Sequence, residues 1–245
     1  MIRDPRILRA RKIFSKLKKV YCVLSTKGGV GKTTISALLA LYSSRKGIRT
    51  GLLDLDFVNP STHVFLGVYP WSIKYREELG VYPYRLLDNL WYFTTIAFTS
   101  DNPMALRGKS SENALWEVLS IVNWDNVEVL FIDTPPGISD EHLELLGNLI
   151  EYIEPIIIST PSRLSLNTTT KYIKLLRAIG YSKVYLFENM GSGELITYAG
   201  SEELIYLGNL PYLSDIEDAI GNIDKLLGLG LERHILIALN RLGIL

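Results

Sequence analysis

The chain has 245 residues, 47% of them apolar, which is enough to bury a substantial core, so we expect residues 1–245 to form one domain. Its 26 basic and 26 acidic residues balance, which leaves no overall field to draw the protein to nucleic acid or to an anionic membrane. The single cysteine, Cys22, excludes an internal disulfide and any metal site built on a Cys-x-x-Cys pair of one chain.

The N-terminal segment, residues 1–19, is basic and is expected to be helical. Residues 3–19 contain eight lysines and arginines and one acid, with apolar residues at helical spacing. Such a helix more often docks on its own domain through its apolar stripe, and the alternative is contact with a membrane surface or nucleic acid. No apolar run of about 18 residues occurs, so we expect neither a signal peptide nor a membrane span, and a cytoplasmic location.

Five short apolar runs predict strands, and the segments between them have helical periodicity. The runs are residues 21–24, 51–55, 127–132, 153–159 and 184–187. Continuous apolar strands that alternate with helices predict an α/β fold, with a mainly parallel sheet flanked by helices on both faces. Right-handed crossovers then place the loops after the strands along one edge, where ligands bind in such sheets.

The loop after the first predicted strand, residues 25–34, has three glycines between two lysines in the order S-T-K-G-G-V-G-K-T-T. Glycine lets the backbone come close to phosphate oxygens, and N–H groups at the start of a helix favour negative charge. In the P-loop pattern Lys32 reaches the β- and γ-phosphates of a nucleoside triphosphate, and Thr33 supplies its hydroxyl to Mg²⁺. The predicted nucleotide-binding residues of this loop are Gly28, Gly29, Val30, Gly31, Lys32, Thr33 and Thr34.

Lys27 distinguishes this loop from the general P-loop pattern, which has Gly where this chain has Thr26. The string K-G-G-x-G-K-T-T resembles the deviant Walker A loop of the ParA/MinD superfamily. The resemblance implies a homodimer around ATP, in which Lys27 reaches the phosphates held by the other subunit and acts in catalysis together with Lys32. The alternative, a plain strand-to-helix turn, does not need two lysines beside three glycines.

Two carboxylates, Asp54 and Asp56, follow the second predicted strand at the edge of the sheet that carries the P-loop. Carboxylates in this place can bind Mg²⁺ through water and polarise the attacking water. We therefore expect Asp54 in the metal site and Asp56 as the catalytic carboxylate. The alternative is a turn or capping box, because Asp, Asn, Pro and Ser all favour turns.

An apolar run that ends in Asp133 has the form of a Walker B motif, which holds one carboxylate rigidly near the Mg²⁺ bound to Thr33. Two prolines stiffen the turn that follows, and Gly137 can present an N–H group to a γ-phosphate. We expect a switch loop here, and its Ser139 also serves to cap the next helix.

Two further segments have less specific patterns. Residues 66–99 interrupt the alternation of strands and helices with an aromatic-rich stretch, for which we expect an extra hairpin or an irregular excursion. Its aromatic side chains are expected in the core or at a dimer contact. Residues 231–242 predict a closing helix that packs on the sheet, although their position is similar to that of the membrane anchor of MinD. The predicted packing face is Ile235, Leu236, Leu239 and Leu242.

These motifs together resemble the Mrp/ApbC-type nucleotide-binding proteins, a branch of the ParA/MinD superfamily that carries iron-sulfur clusters in ATP-dependent assembly. The most specific match is residues 133–143, D-T-P-P-G-I-S-D-E-H-L, against the family's D-T-P-P-G-T-S-D-E-H-L. Further matches are residues 54–61, Leu106-Arg107-Gly108, Thr160-Pro161, Glu188-Asn189-Met190 and residues 207–211. The resemblance implies that Asn189 binds the adenine edge, that Pro211 helps to form the base pocket, and that ATP and Mg²⁺ are the cofactors.

The resemblance breaks at residues 190–195, which read M-G-S-G-E-L. Family members that carry clusters have a C-P-x-C pair shortly after E-N-M, whereas Gly, Ser and Glu are poor substitutes for thiolate ligands of an iron-sulfur cluster. We therefore expect the ATPase without a cluster site of its own, since Cys22 lies in a predicted strand and cannot replace the pair. The implied partner is a protein client or scaffold in metallocluster assembly.

The sequence as a whole predicts a cytoplasmic, Mg²⁺-dependent P-loop ATPase that dimerises around ATP and drives assembly or delivery of a partner's metallocluster. Two other functions stay open. One is a spatial organiser of the ParA/MinD kind that loads onto DNA or membrane, and the neutral net charge counts against it. The other is an adaptor in which the nucleotide sets a conformation for a partner with little turnover.

Overall fold

The computed structural model describes residues 4–99 and 109–245, so the predicted match at Leu106-Arg107-Gly108 lies outside the described residues. The strands are β1 (Lys19–Leu24), β2 (Thr50–Asp54), β3 (Arg76–Glu77), β4 (Val81–Tyr82), β5 (Tyr84–Leu87), β6 (Leu90–Phe93), β7 (Val129–Asp133), β8 (Ile153–Ser159), β9 (Tyr185–Asn189) and β10 (Ile205–Leu210). The helices are α1 (Pro5–Phe14), α2 (Lys32–Arg45), α3 (Thr62–Leu66), α4 (Ile96–Thr99), α5 (Lys109–Ile121), α6 (Asp140–Asn148), α7 (Arg163–Ile179), α8 (Ile196–Ser201), α9 (Ile216–Ala219), α10 (Ile223–Gly228) and α11 (Glu232–Arg241).

The central feature is an eight-stranded sheet with the strand order β10-β9-β8-β1-β7-β2-β6-β5. Neighbouring strands are parallel except for the antiparallel pair of β5 and β6. The predicted α/β fold with a mainly parallel sheet is confirmed, and all five predicted strands are present. β10 is missing from the predicted strands because Gly208 and Asn209 interrupt its apolar run.

Three strand ends that carry predicted site residues meet at one edge of the sheet. Val23 of β1 pairs with Asp133 of β7, and Asp133 pairs in turn with Asp54 of β2. Because these strands are parallel, the loops that follow them open side by side. The register therefore brings the P-loop, the predicted switch loop and the two carboxylates after β2 together.

Apolar side chains cover both faces of the sheet. On one face Phe14 of α1, Trp116 of α5 and Leu176 of α7 belong to one buried cluster. On the other face Ile35 of α2 and Leu239 of α11 belong to a second. Strands buried on both faces need apolar residues at every position, which explains the continuous apolar runs of the sequence.

Helix α1 docks on its own protein, as the more common of the two interpretations predicted. Ala10 and Phe14 are buried, and Ile7 and Ile13 are partly buried against the core. The Asp4 side chain accepts a hydrogen bond from Arg6 N and so caps the start of the helix. The apolar stripe of this helix is therefore used inside the protein rather than on a membrane.

The aromatic segment 66–99 contains the predicted hairpin, which also extends the main sheet. β5 and β6 are antiparallel, and β6 pairs with β2 in parallel register. Tyr92 and Phe93 are buried, whereas Tyr69 and Trp71 stack on each other with ring centroids 4.7 Å apart and are 61% and 76% exposed. The segment thus contributes both to the core and to the surface.

The C-terminal helix α11 closes the fold. Ile235 and Leu239, with Leu242 beyond the helix, are buried, and Leu236 is partly buried, which confirms the predicted packing face. Within the described ranges 4–99 and 109–245, none of the helices has both the length and the apolar character needed to cross a membrane.

Candidate functional site

The P-loop joins β1 to α2 through a backbone that only glycine adopts readily. Gly29 has φ +78° and Gly31, the residue before α2, has φ +82°. The first N–H groups of α2 have no partner within the helix, and no side chain of the described residues caps them. The start of a 14-residue helix thus points free N–H groups and a positive dipole end into the loop. This is an anion-binding arrangement.

Two cavities lie on either side of this loop. The first, about 270 Å³, is lined by residues 27–33 together with Asp56, Asn59 and Ser61. The second, about 260 Å³, is lined by Thr34, Asn189 and Pro211 among others, and it shares Gly29 and Gly31 with the first. Residues predicted to bind phosphate and residues predicted to bind the base therefore line adjacent cavities.

Asp133 at the end of β7 is the centre of a buried polar network beneath the first cavity. Its Oδ1 accepts hydrogen bonds from Lys32 Nζ at 2.7 Å and Ser36 Oγ at 2.9 Å, and its Oδ2 accepts one from Thr33 Oγ1 at 2.9 Å. Asp133 is 1% and Lys32 7% exposed, so each charge is desolvated and depends on the other. The predicted Walker B carboxylate and the two predicted P-loop side chains thus meet directly.

Asp54 and Asp56 have different surroundings. Asp56 lines the first cavity, and its Oδ1 accepts a hydrogen bond from Asn59 N at 2.9 Å, which fixes the carboxylate. Asp54 does not line that cavity: its carboxylate accepts hydrogen bonds from Thr62 and from Asp56 N. Burial, and then the nearby charge of Asp133, raise the pKa of Asp54 to about 7. The geometry gives Asp54 a positioning role behind Asp56, and its predicted place in the metal site stays a prediction.

The oxygen atoms around the first cavity suit a magnesium ion that arrives with a nucleotide. The Thr33 hydroxyl lies 3.3 Å from Ser61 Oγ and 2.9 Å from Asp133 Oδ2. Among residues 4–99 and 109–245, no group of three or more His, Cys, Asp and Glu side chains could hold a metal by itself. Mg²⁺ is typically held by one or two carboxylates plus substrate phosphates and water, so the donor set fits it.

Gly137 differs from its expected role, because its N–H group is not free in this structure. It donates to the Ser25 carbonyl oxygen of the P-loop at 2.9 Å. Thr134 Oγ1 donates to the Val23 carbonyl oxygen at 2.8 Å, which ties the same loop to β1. The predicted switch loop is thus docked on the P-loop. The hydrogen bond from Gly137 N to the Ser25 carbonyl oxygen must break before this N–H group can donate to a phosphate.

His142, at the start of α6, holds the predicted switch loop from the other side. Its Nδ1 faces Ser139 N at 3.2 Å and Ser139 Oγ at 2.8 Å, and its Nε2 faces the Pro135 carbonyl oxygen at 3.1 Å. A backbone N–H can only donate and a carbonyl can only accept, so Nδ1 is the acceptor and Nε2 carries the proton. The ring is therefore neutral, and burial lowers the pKa of His142 to about 4.

The titration of His142 predicts a loss of stability in acid. Its pKa of about 4 in the fold lies below the ordinary value of 6.5, so the unfolded chain takes up the proton first as the pH falls. The stabilisation is complete above pH 6.5 and is lost as the pH falls through about 4. This one group should cost about 3 kcal/mol of unfolding free energy across that window. Chemical denaturation from neutral to acidic pH measures it.

The variant for this prediction is His142→Gln. Glutamine at position 142 does not titrate, so that variant should lose the acid-dependent part of the stability. Equal pH dependence in wild type and His142→Gln would show that other groups cause the acid sensitivity.

Asn189, at the end of β9, contacts the P-loop backbone. Its Nδ2 donates to the Val30 carbonyl oxygen at 2.8 Å, and a side chain on Gly31 would overlap the same Nδ2. Because Val30 O can only accept, the Asn189 carbonyl oxygen is the atom left for a donor such as a base amino group. The sequence analysis predicted the base contact but not this support of the P-loop.

The loop 190–195 does not fit an iron-sulfur cluster. The buried Glu188 carboxylate accepts hydrogen bonds from the N–H groups of Gly193, Glu194 and Leu195 at 2.9–3.1 Å and from Tyr206 OH at 2.8 Å. The loop thus closes over the carboxylate of Glu188, the residue two positions before it, and offers no thiolate. Cys22 is fully buried, and burial raises its thiol pKa far above the ordinary value, so it is no substitute ligand.

Sequence reasoning missed three polar residues of this site. Ser36 lies one helical turn after Lys32, so helical spacing could have placed both on the face towards Asp133. Ser61 was part of a matched motif without an assigned role, and it reaches Thr33. His142 is the third residue of α6, the position from which a capping-box side chain bonds back to the N-cap residue Ser139, and this spacing could have indicated its role.

Comparison with known proteins adds the family context. The sequence model of the ParA family, described as NUBPL iron-transfer P-loop NTPase, matches residues 16–209. The chain is similar to the cytosolic Fe-S cluster assembly factor Nubp2 homolog of Drosophila erecta, with 32% identity over 222 residues, 81% of this chain and 84% of that protein. It is also similar to the cytosolic Fe-S cluster assembly factor NUBP2 homolog of Dictyostelium discoideum, with 33% identity over 180 residues, 71% of this chain and 68% of that protein.

Solved structures share the fold. A nucleotide-binding protein from Archaeoglobus fulgidus in complex with ADP superposes with a TM-score of 0.76 and 22% identity over 94% of this chain and 95% of that one. The cell division ATPase MinD of Pyrococcus furiosus superposes with a TM-score of 0.66 and 17% identity over 93% and 99%. At these identities the likeness establishes the fold of the chain.

Proposed function

Because the chain belongs to the ParA family of NUBPL-type iron-transfer P-loop NTPases, we propose that it is a Mg²⁺-dependent ATPase that works in iron-sulfur cluster assembly without holding a cluster itself. The observation that carries the ATPase is the contact of Lys32 and Thr33 with the buried Asp133 beneath the first cavity, which the P-loop lines. The cytoplasmic location expected from the sequence agrees with the word cytosolic in the names of its relatives.

The roles of the residues follow from their positions. Thr33 and Asp133 would hold Mg²⁺, which supplies charge neutralisation on the phosphates when bound. The amides of the P-loop bind phosphate oxygens, and Lys32 exchanges its contact with Asp133 for the more highly charged phosphates. The Asn59 amide fixes Asp56 at the wall of the same cavity, where its carboxylate orients a water molecule for attack.

The remaining predicted residues are proposed to contact the adenine base and a second subunit. Asn189 offers its carbonyl oxygen to the base, and Pro211 forms an apolar wall of the second cavity. Lys27 lines the first cavity beside the double glycine, from where it reaches the phosphates of a second subunit in a homodimer around ATP. Residues 1–245 form one domain in this proposal, because a single apolar cluster covers each face of the sheet.

Replacing Asp56 by Ala should lower the rate of ATP hydrolysis about a hundredfold, because the attacking water loses its carboxylate partner. ATP binding should persist, since the P-loop amides and Lys32 are unchanged. A phosphate-release assay measures turnover, and equilibrium binding of a fluorescent ATP analogue measures affinity.

Lys27→Ala is the matched comparison for Asp56→Ala. Light scattering should show that Asp56→Ala still dimerises with ATP, whereas Lys27→Ala does not, because one variant blocks hydrolysis and the other removes the contact between subunits. Unchanged turnover in Asp56→Ala would remove this residue from the mechanism. Normal dimerisation of Lys27→Ala would remove the action of that lysine in trans.

The role in iron-sulfur assembly rests on the relatives, which are named as Fe-S cluster assembly factors. Since loop 190–195 and Cys22 supply no accessible thiolate, the cluster is cargo on a partner protein. After anaerobic reconstitution, iron and acid-labile sulfide should be absent from the purified protein, which should still hydrolyse ATP. A stoichiometric, stable cluster would contradict this assignment.

A further inference from the structure

A groove separate from the nucleotide site lies on the β5–β6 hairpin. It has a volume of about 200 Å³, and within the described part of the chain it shares no lining residue with either nucleotide cavity. Its lining includes residues 82–85, Trp91 and, from the loop before β7, Asn123, Trp124, Asn126 and Val127. The hairpin lies at the edge of the sheet, beyond β2, and the proposed ATPase mechanism uses none of its residues.

The groove is cationic. Lys74, Arg76 and Arg85 all line it, and no carboxylate of residues 4–99 and 109–245 does so. Asp125, between the lining residues Trp124 and Asn126, pairs with Lys16 at 2.9 Å. The two arginines have acidic partners outside the lining: Glu78 lies 3.6 Å from Arg76 Nε, and Asp88 lies 3.4 Å from Arg85. Both pairs are largely exposed, so they are worth little and can be displaced by a better carboxylate ligand.

Aromatic rings hold the two guanidinium groups in place. Arg76 lies over the Tyr82 ring at 4.2 Å from its centroid, and Arg85 lies over the Trp91 ring at 5.9 Å. Arg85 is fixed further because its Nε and Nη2 donate to the Asp88 carbonyl oxygen at 3.3 and 3.0 Å, so the edge between Nη1 and Nη2 is the one left for a ligand. Stacking leaves the N–H edges of a guanidinium available and reduces the entropy lost when an anion binds. Preorganised guanidinium groups favour bidentate contact with carboxylates.

We propose that this groove binds a short acidic segment of a partner protein, whose carboxylates pair with Arg76, Arg85 and Lys74. Single-stranded nucleic acid is the competing ligand, but it needs free aromatic faces on which bases stack. Arg76 covers one face of Tyr82, Arg85 lies within 5.9 Å of the Trp91 centroid, and Trp124 is only 3% exposed, so Tyr84 is the lining ring without an arginine over it. The chain also carries no net positive charge to hold a long phosphate backbone. The groove therefore suits a few carboxylates rather than an extended polyanion.

Fluorescence anisotropy of the full chain tests the proposal. The probe is a fluorescein-labelled peptide of alternating Glu and Ser, compared with the same peptide carrying Gln for Glu and with a labelled oligothymidylate. The acidic peptide should bind, and the Arg76→Ala/Arg85→Ala variant should bind it about tenfold more weakly. Arg76→Lys/Arg85→Lys, which keeps the charge but loses the planar fork, should fall in between.

The control variant is Arg49→Ala/Arg233→Ala, which removes the same charge outside the groove and should bind the peptide as the wild type does. The proposal would be overturned if the Arg76→Ala/Arg85→Ala variant and the control variant bound the acidic peptide equally weakly. It would also be overturned if the Gln peptide bound as tightly as the Glu peptide, or if oligothymidylate bound more tightly through Arg76 and Arg85. ATP hydrolysis by Arg76→Ala/Arg85→Ala should stay within about twofold of wild type, since both residues are on the surface and neither lines a nucleotide cavity. A chain inactive in every variant would count against the proposed ATPase and not against the groove.

Discussion

Replacing Asp133 by Asn should abolish detectable ATP hydrolysis and lower the unfolding free energy of the nucleotide-free protein by about 3 kcal/mol. Asn has the shape of Asp without the charge, so Lys32, 7% exposed and 2.7 Å from Asp133, loses its buried counter-charge. Removing one partner of a buried ion pair costs more than the pair contributes, because the other charge stays desolvated. The carboxylate proposed to hold Mg²⁺ is lost in the same step.

Thermal unfolding and phosphate release measure the two effects separately. For a chain of this size, about 3 kcal/mol corresponds to a fall of roughly 9 °C in Tm. The matched control is Ser36→Ala, which removes one hydrogen bond to Asp133 but leaves the ion pair, and should cost about 1 kcal/mol. If both variants were equally stable, the charge of Asp133 would not be what stabilises Lys32. If Asp133→Asn hydrolysed ATP normally, the Walker B assignment would be wrong.

Replacing Gly31 by Ala should weaken nucleotide binding more than a hundredfold. Two costs combine, because Gly31 has φ +82°, and an added Cβ would overlap Asn189 Nδ2. The left-handed conformation alone costs about 1 kcal/mol in a residue with a side chain. The overlap forces either the loop or Asn189 to move, and that breaks the Asn189 bond to Val30 O, which shapes the phosphate-binding amides.

Gly47→Ala is the matched control for Gly31→Ala. Gly47 has φ +83° and nothing within 4 Å of an added Cβ, so it carries the same backbone cost without an overlap. The difference in Tm between the two variants therefore measures the overlap with Asn189. Adding Asn189→Ala to Gly31→Ala should recover part of the lost stability, because it removes the atom that the new methyl group meets. No recovery in this double variant would show that the backbone conformation is the whole cause.

Much of this site could be predicted because its signals are local. The glycines and lysines of residues 25–34 are consecutive, and the same holds for the carboxylates after β2 and the motif that begins at Asp133. Each follows an apolar strand, so the rule that ligands bind at the carboxyl edge of parallel strands placed them together. That Asp56 lines the first cavity while Asp54 does not could not be predicted, since it depends on which carboxylate the Thr62 and Asn59 amides engage.

By itself, the sequence determined the α/β class, the P-loop with its two lysines, the aspartate at the end of the third predicted strand and the lack of a cysteine pair, because these are properties of residue type and short-range order. The tertiary structure alone decided that Asp133 binds Lys32 across 101 residues, that Gly137 donates to Ser25, and that the β5–β6 hairpin joins the main sheet. It also gathered the cations of the groove onto one surface. The physical reason is that strand order and register are set by the packing of the whole sheet, and a change of register by one residue in β7 would move Asp133 to the opposite face.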